Sequence, residues 1–229
     1  HKQGAIAWKA LNQNSRFLMD LEGEMESDGN IAYKVTLVAR EDASVEDVAL
    51  RTHLASGVGR YMMGLGEKGG YCPNDLRWKW DVEKNQDAVW VGDVNAGIQI
   101  RLYDNKYERP LNTNFYHQKP LHMPVSWCNA GNGGIDIHNA ADGTRINAYS
   151  GKRSVKKGDR LYYYFNLALT PFRPIDTDKQ WRERYHHNYE FLDGIQKRGA
   201  NVINIHHANA INPFINYPFL RTKEMKAYI

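Results

Sequence analysis

The sequence predicts a mainly β protein, an antiparallel β-sandwich followed by the first elements of an α/β barrel of the TIM type. Three observations carry this. Up to about residue 170, apolar residues recur mostly at a period of two, as half-buried strands require. The runs are short, rich in β-branched and aromatic residues, and separated by turn signals. After Thr170 the pattern changes to helix, strand, loop, helix, which is α/β grammar.

The strands follow in order. Ile6, Trp8 and Ala10 alternate with smaller or polar residues. Phe17 to Glu22 and Ile31 to Val38 come next, divided by Asp28-Gly29-Asn30. Val48 to Leu54, Ala88 to Val91 and Ile98 to Leu102 continue the series, with Asn95-Ala96-Gly97 and Asp142-Gly143-Thr144 as turns. Leu161 to Leu169 closes it. Many short strands at this spacing predict a sandwich over residues 1–172. Pro171 and Pro174 then make a linker, and Asp176-Thr177-Asp178 suits a helix N-terminus because early acids complement the helix dipole. A helix is expected over residues 179–198, stopped by Gly199. Asn201 to His206 reads as a first barrel strand of the buried, parallel kind, and residues 222–229 as the start of a second helix. A (β/α)8 barrel needs about 200 residues at least, so residues 173–229 are expected to be only its opening.

Composition excludes several classes. The chain has 229 residues, 42% hydrophobic and 24% charged, with net charge +4. No apolar run approaches the roughly 18 residues of a membrane span, and hydrophobic content is too high for disorder. Residues 1–150 carry 16 Lys+Arg against 19 Asp+Glu, and residues 151–229 carry 14 against 7. The basic tail lacks the dense stripe of a nucleic-acid surface. Lys152, Arg153, Lys156, Lys157 and Arg160, set around Gly151 and Gly158, read as a solvated hairpin, so no nucleic-acid partner is expected. Cys72 and Cys128 could pair in an oxidising compartment, but two cysteines do not fix the compartment.

Several motifs resemble a known family. Met63-Gly64-Leu65-Gly66, Trp78-Lys79-Trp80-Asp81, Val89 to Gly97, Arg109 to Tyr116, Gly199 to His207 and Ile211 to Pro218 are similar to glycoside hydrolase-like proteins of polysaccharide-degrading bacteria, related to glycoside hydrolase family 123. The resemblance implies a secreted or periplasmic enzyme, with cell-surface anchoring as a further option, and a β-sandwich ahead of a catalytic barrel with a glycan as partner. Family 123 enzymes remove N-acetylgalactosamine with an adjacent Asp-Glu pair and the substrate's own acetamido group. That pair would sit on later barrel strands, so no catalytic residue is assigned here and the segment itself is expected to be inactive. A non-catalytic carbohydrate-binding or structural sandwich module is the alternative. No cofactor is expected, and the oligomeric state is left open.

Candidate contacts lie in two places. On the expected barrel strand, Val202, Asn204 and His206 alternate with Ile203 and Ile205. Barrel chemistry sits at the C-terminal ends of strands, so Asn204, His206, His207 and Asn209 are candidate sugar contacts, their side chains offering donors and acceptors to hydroxyls. In the sandwich, Tyr71, Trp78, Trp80 and Trp90 could stack on sugar C–H faces, with Trp78 and Trp80 as the candidate substrate contacts, although large aromatics more often fill a core. His186-His187 with His206-His207 invites a metal reading, but the His-Glu-x-x-His spacing is missing and none is assigned. Asp81 and Asp93 could be a glycosidase pair only if about 5 to 9.5 Å apart. Asp93 before Asn95-Ala96-Gly97 reads more simply as a turn-former. Gly64 to Gly70 is Gly-rich without a phosphate loop's Lys-Ser/Thr ending. Asn112, Asn114, Tyr116 and His117 are read as bracing.

Overall fold

In each strand successive side chains point to opposite faces, and the apolar set of one face decides which sheet packs on which. The computed structural model describes residues 4–81, 87–106, 123–172, 176–186, 194, 197–203, 223 and 226. They divide into two compact units, His1–Pro174 and Ile175–Ile229.

The first unit is the expected sandwich. Its strands are β1 (Ala5–Gln13), β2 (Phe17–Glu26), β3 (Asn30–Ala39), β4 (Ala43–Val45), β5 (Ala49–Ala55), β6 (Tyr61–Gly64), β7 (Glu67–Tyr71), β8 (Asp75–Lys79), β9 (Ala88–Asp93), β10 (Ala96–Tyr103), β11 (Gly134–Ala140), β12 (Gly143–Tyr149), β13 (Arg153–Val155) and β14 (Arg160–Thr170). An eight-stranded sheet runs β1-β2-β3-β14-β10-β9-β6-β7, and a four-stranded sheet runs β5-β12-β11-β8. All the pairings within them are antiparallel. Val89, Val91, Ile98, Ile100, Leu102 and Tyr163 point inward from the large sheet and meet Trp78, Ile135, Ile137, Ile146 and Ala148 from the small one.

The short helix α1 (Val125–Cys128) closes this core with Trp127, 1% exposed. Four residues cannot hold a helix by themselves, and the surroundings fix it. Asp104 Oδ2 accepts from the Val125 amide at 2.9 Å, and Ser126 Oγ accepts from the Tyr162 amide at 2.8 Å.

The basic hairpin is only partly solvated. Lys152 pairs with the exposed Glu46, whereas the Arg153 guanidinium donates to the Ser126 carbonyl and lies 5.9 Å from the Tyr163 ring centroid. Cys72 and Cys128 are buried free thiols. Burial pushes the Cys72 thiol up, because a thiolate there would lose its water. A thiol reagent at about pH 8 is therefore expected to modify native Cys72 far more slowly than the denatured chain, since the thiolate is the reactive form. Equal rates by mass spectrometry would contradict the burial.

The second unit is described in pieces. Helix α2 (Thr177–Arg182) is capped by Asp176, whose side chain accepts from the Lys179 amide at 2.8 Å. The expected helix over 179–198 is corrected: Glu183 is extended and ends α2, and a short strand β15 (Tyr185–His186) follows. Gly194 and Lys197 are helical. β16 (Val202–Ile203) then pairs parallel with β15, Tyr185 opposite Val202 and His186 opposite Ile203. Parallel neighbours need a crossover, usually a helix, so strand-helix-strand grammar is present. The strand expected to come first in this unit is the second one.

Candidate functional site

Burial separates the aromatic candidates. Trp78 and Trp80 are 4% and 8% exposed, with ring centroids 5.0 Å apart in an edge-on arrangement. Neither indole N–H has a hydrogen-bond partner among the described residues. Their expected role as stacking contacts is corrected to core filling, since a ring enclosed by Ile135 and its neighbours offers no face to a sugar.

Tyr71 and Trp90 lie on the opposite, outer face of the large sheet. Along β9 and β10, Val89, Val91, Ile98, Ile100 and Leu102 point inward, so Trp90, Gln99, Arg101 and Tyr103 point out. Gly92 and Gly97 are opposite one another in the register, and Trp90 lies over both. A Cβ on either glycine would come within 2.9 Å of the indole, so these two positions must lack side chains for the ring to lie flat. Trp90 Nε1 donates to Thr170 Oγ1 at 2.8 Å, fixing the ring's orientation.

The same cross-strand row continues to the sheet edge. Tyr61 is opposite Gly92 on one side and Tyr71 on the other. The Tyr61 and Tyr71 rings stack with centroids 5.2 Å apart and planes at 28°. Arg60 lies 5.3 Å from the first centroid and 6.0 Å from the second. Tyr71 is 73% exposed and Met63, opposite Trp90, is 55% exposed.

Towards the middle of the sheet the face becomes polar. Arg101 Nε is 3.6 Å from Oδ2 of the buried Asp87, an ion pair rather than a hydrogen bond. Tyr103 donates to Asn166 Oδ1 at 2.9 Å. Burial pushes the Tyr103 phenol up, Tyr164 adds to this and Arg101 opposes it, so the phenol stays a neutral donor. Tyr103 and Tyr164 meet edge-on at 5.7 Å. Aromatic rings beside fixed amide, guanidinium and phenol groups can stack on the C–H face of a sugar and bond its hydroxyls.

The other candidates fall elsewhere. Asp93 stands at the start of the β9–β10 turn, opposite Ala96, and its Oδ1 accepts from the Val94 amide at 2.7 Å. Asn204, His206, His207 and Asn209 lie outside the described residues, as do His187, Asn112, Asn114, Tyr116 and His117. No cluster able to hold a metal ion is present among the described residues, and among them no helix is long and apolar enough to cross a membrane. Sequence reasoning missed Arg60 and Tyr61. The available signal was Tyr61-Met62-Met63 alternating into a Leu65-Gly66 turn, which brings Tyr61 opposite Tyr71.

Comparison with known proteins places this geometry in context. The family description "Glycoside hydrolase 123, third domain" matches residues 1–171, and "Glycoside hydrolase 123, TIM-barrel domain" matches residues 176–229. No curated protein matches the chain. Among solved structures, a galactose mutarotase-related enzyme from Lactobacillus acidophilus is 9% identical with a TM-score of 0.41, covering 75% of this chain and 70% of its own. An alpha-N-acetylgalactosaminidase from Bifidobacterium bifidum, a quadruple mutant, is 12% identical with a TM-score of 0.37 over 85% of this chain. This chain spans 31% of that enzyme's length.

Proposed function

The chain belongs to glycoside hydrolase family 123, and from that premise we propose that it is the sandwich and barrel opening of an enzyme hydrolysing glycans that carry N-acetylhexosamine. The observation that carries the proposal is the order of the two family matches, sandwich over residues 1–171 and barrel over 176–229, joined without overlap. The 54 residues of the second match are far short of the roughly 200 that close a barrel. The family's catalytic Asp-Glu pair is proposed to sit on barrel strands that these 54 residues do not supply, and residues 1–229 alone are expected to be inactive. Asn204, His206, His207 and Asn209 are proposed to contact the sugar from the C-terminal end of the β16 strand. The enzyme acts in a secreted or periplasmic setting.

A panel of aryl glycosides tests the substrate class on a protein that continues the barrel. Family 123 chemistry uses the acetamido group, so aryl N-acetylhexosaminides are expected to be cleaved and the matching hexosides, which lack it, to be left intact. Equal turnover of both would contradict the reading. In the same protein His206→Ala is expected to lower kcat/KM by roughly tenfold or more, the order of a lost hydrogen bond to a charged or well-placed group.

A further inference from the structure

We propose that Tyr61, Tyr71 and Arg60, at the β6–β7 edge of the large sheet, form a glycan-stacking subsite that grips a neutral polysaccharide chain. The inference rests on the family assignment for the choice of a sugar as ligand and on the surface itself for everything else. Tyr71, 73% exposed, is backed by Tyr61 at 5.2 Å and 28°. A ring held from behind by another loses little freedom when a ligand stacks on its open face, so more of the contact energy is realised as binding. The Arg60 guanidinium stands beside both rings and brings N–H donors to the edge of anything that stacks there.

Charge and edge geometry decide the class of ligand. The Arg60 charge is offset at longer range by the Asp93 carboxylate. At the edge as a whole the formal charges of Arg60 and Lys68 match those of Asp93 and Glu67, with Glu67 on the Tyr71 face of β7 and Lys68 on the other. A patch without net charge selects no ionic partner. β7 is an edge strand, but the Met62/Gly64 register shift and the Glu67-Lys68 charges obstruct pairing with a further strand. What remains open is the ring face, flanked by Met63 and, one row inward, Trp90 over Gly92 and Gly97. Strands are about 4.8 Å apart, so the row from Tyr71 to Thr170 across five strands spans roughly 19 Å, room for several sugar units.

The test is affinity electrophoresis and saturation-transfer NMR on the full 229-residue chain. The probes are neutral galactan, a tetramer of N-acetylglucosamine and, as the charged control, a sulfated glycan. Retention by at least one neutral probe is expected, weakened about threefold to tenfold by Tyr71→Ala, restored by Tyr71→Phe and unchanged by Lys9→Ala on the far edge. Circular dichroism of each variant separates lost binding from lost folding. Binding of the sulfated probe alone, no binding of any probe, or equal binding by Tyr71→Ala would each overturn the subsite. None of these outcomes touches the hydrolysis assay, so the two readings fail independently.

Discussion

Replacing Trp127 with Ala is expected to destabilise the sandwich by about 4 kcal/mol, within the range for deleting a buried Trp side chain. For a unit of this size that corresponds to a Tm lower by roughly 8–16 °C in a thermal melt followed by circular dichroism. The reason is concentrated in one side chain. Trp127 is 1% exposed, donates from Nε1 to the Tyr164 carbonyl at 3.0 Å, and meets Tyr163 edge-on at 4.9 Å. Removing it leaves a cavity between the sheets, an unmatched carbonyl, and a four-residue helix stripped of its main attachment to β14. Trp127→Phe, which keeps much of the volume, is expected to lose about half as much. A melt within about 2 °C of the parent would show that α1 is not what closes the core.

Gly64→Ala is the second large effect. Gly64 has φ of +116°, and a Cβ there would stand 2.4 Å from the Ala88 carbonyl oxygen and 2.9 Å from the Val89 Cα. Backbone cannot swing aside as a side chain can, so the β6–β9 pairing, in which Gly64 is opposite Val89, must open. The expected cost is about 3 kcal/mol or more, strain and lost pairing together. Gly57 supplies the control, with φ of +81° and nothing within 4 Å of an added Cβ. Gly57→Ala carries the conformational strain alone, about 1 kcal/mol. Equal losses in the two variants would contradict the role of close packing at Gly64. Because Gly64 leads into the Leu65-Gly66 turn that sets Tyr61 opposite Tyr71, Gly64→Ala is also expected to weaken glycan retention.

These two sites show how much of the structure was legible in the residues. Alternation in Ile98 to Leu102 and in Val89-Trp90-Val91 identified both the strands and their inward faces, since periodicity two follows from the backbone alone. The assignment of Trp78 and Trp80 was not legible in the same way. An alternating pair shares a face, but which face is buried depends on the sheet opposite, whose inward residues Ile100 and Tyr163 are distant in sequence. The helix expected over residues 179–198 failed for a local reason: apolar residues at mixed spacings fit a helix, a short strand and a second helical stretch equally well. Only the extended backbone at Glu183 and the parallel pairing of Tyr185 with Val202 separate them. Tyr61 went unnoticed because its importance comes from its neighbour Tyr71 across a two-residue turn, where Leu65, at φ of +55°, is wholly buried. Leucine seldom occupies a turn of this kind, so the usual residue signal pointed away from it.

Residues 1–229 match the family's sandwich and the opening of its barrel, and the proposed division of labour leaves the chemistry to a complete barrel. Hydrolysis of aryl N-acetylhexosaminides by residues 1–229, measured beside a protein that carries a complete family barrel, tests that division. The account predicts turnover by the longer protein and only the uncatalysed rate with the segment. Multiple turnover by the segment alone, or an inert longer protein that binds glycans, would contradict it.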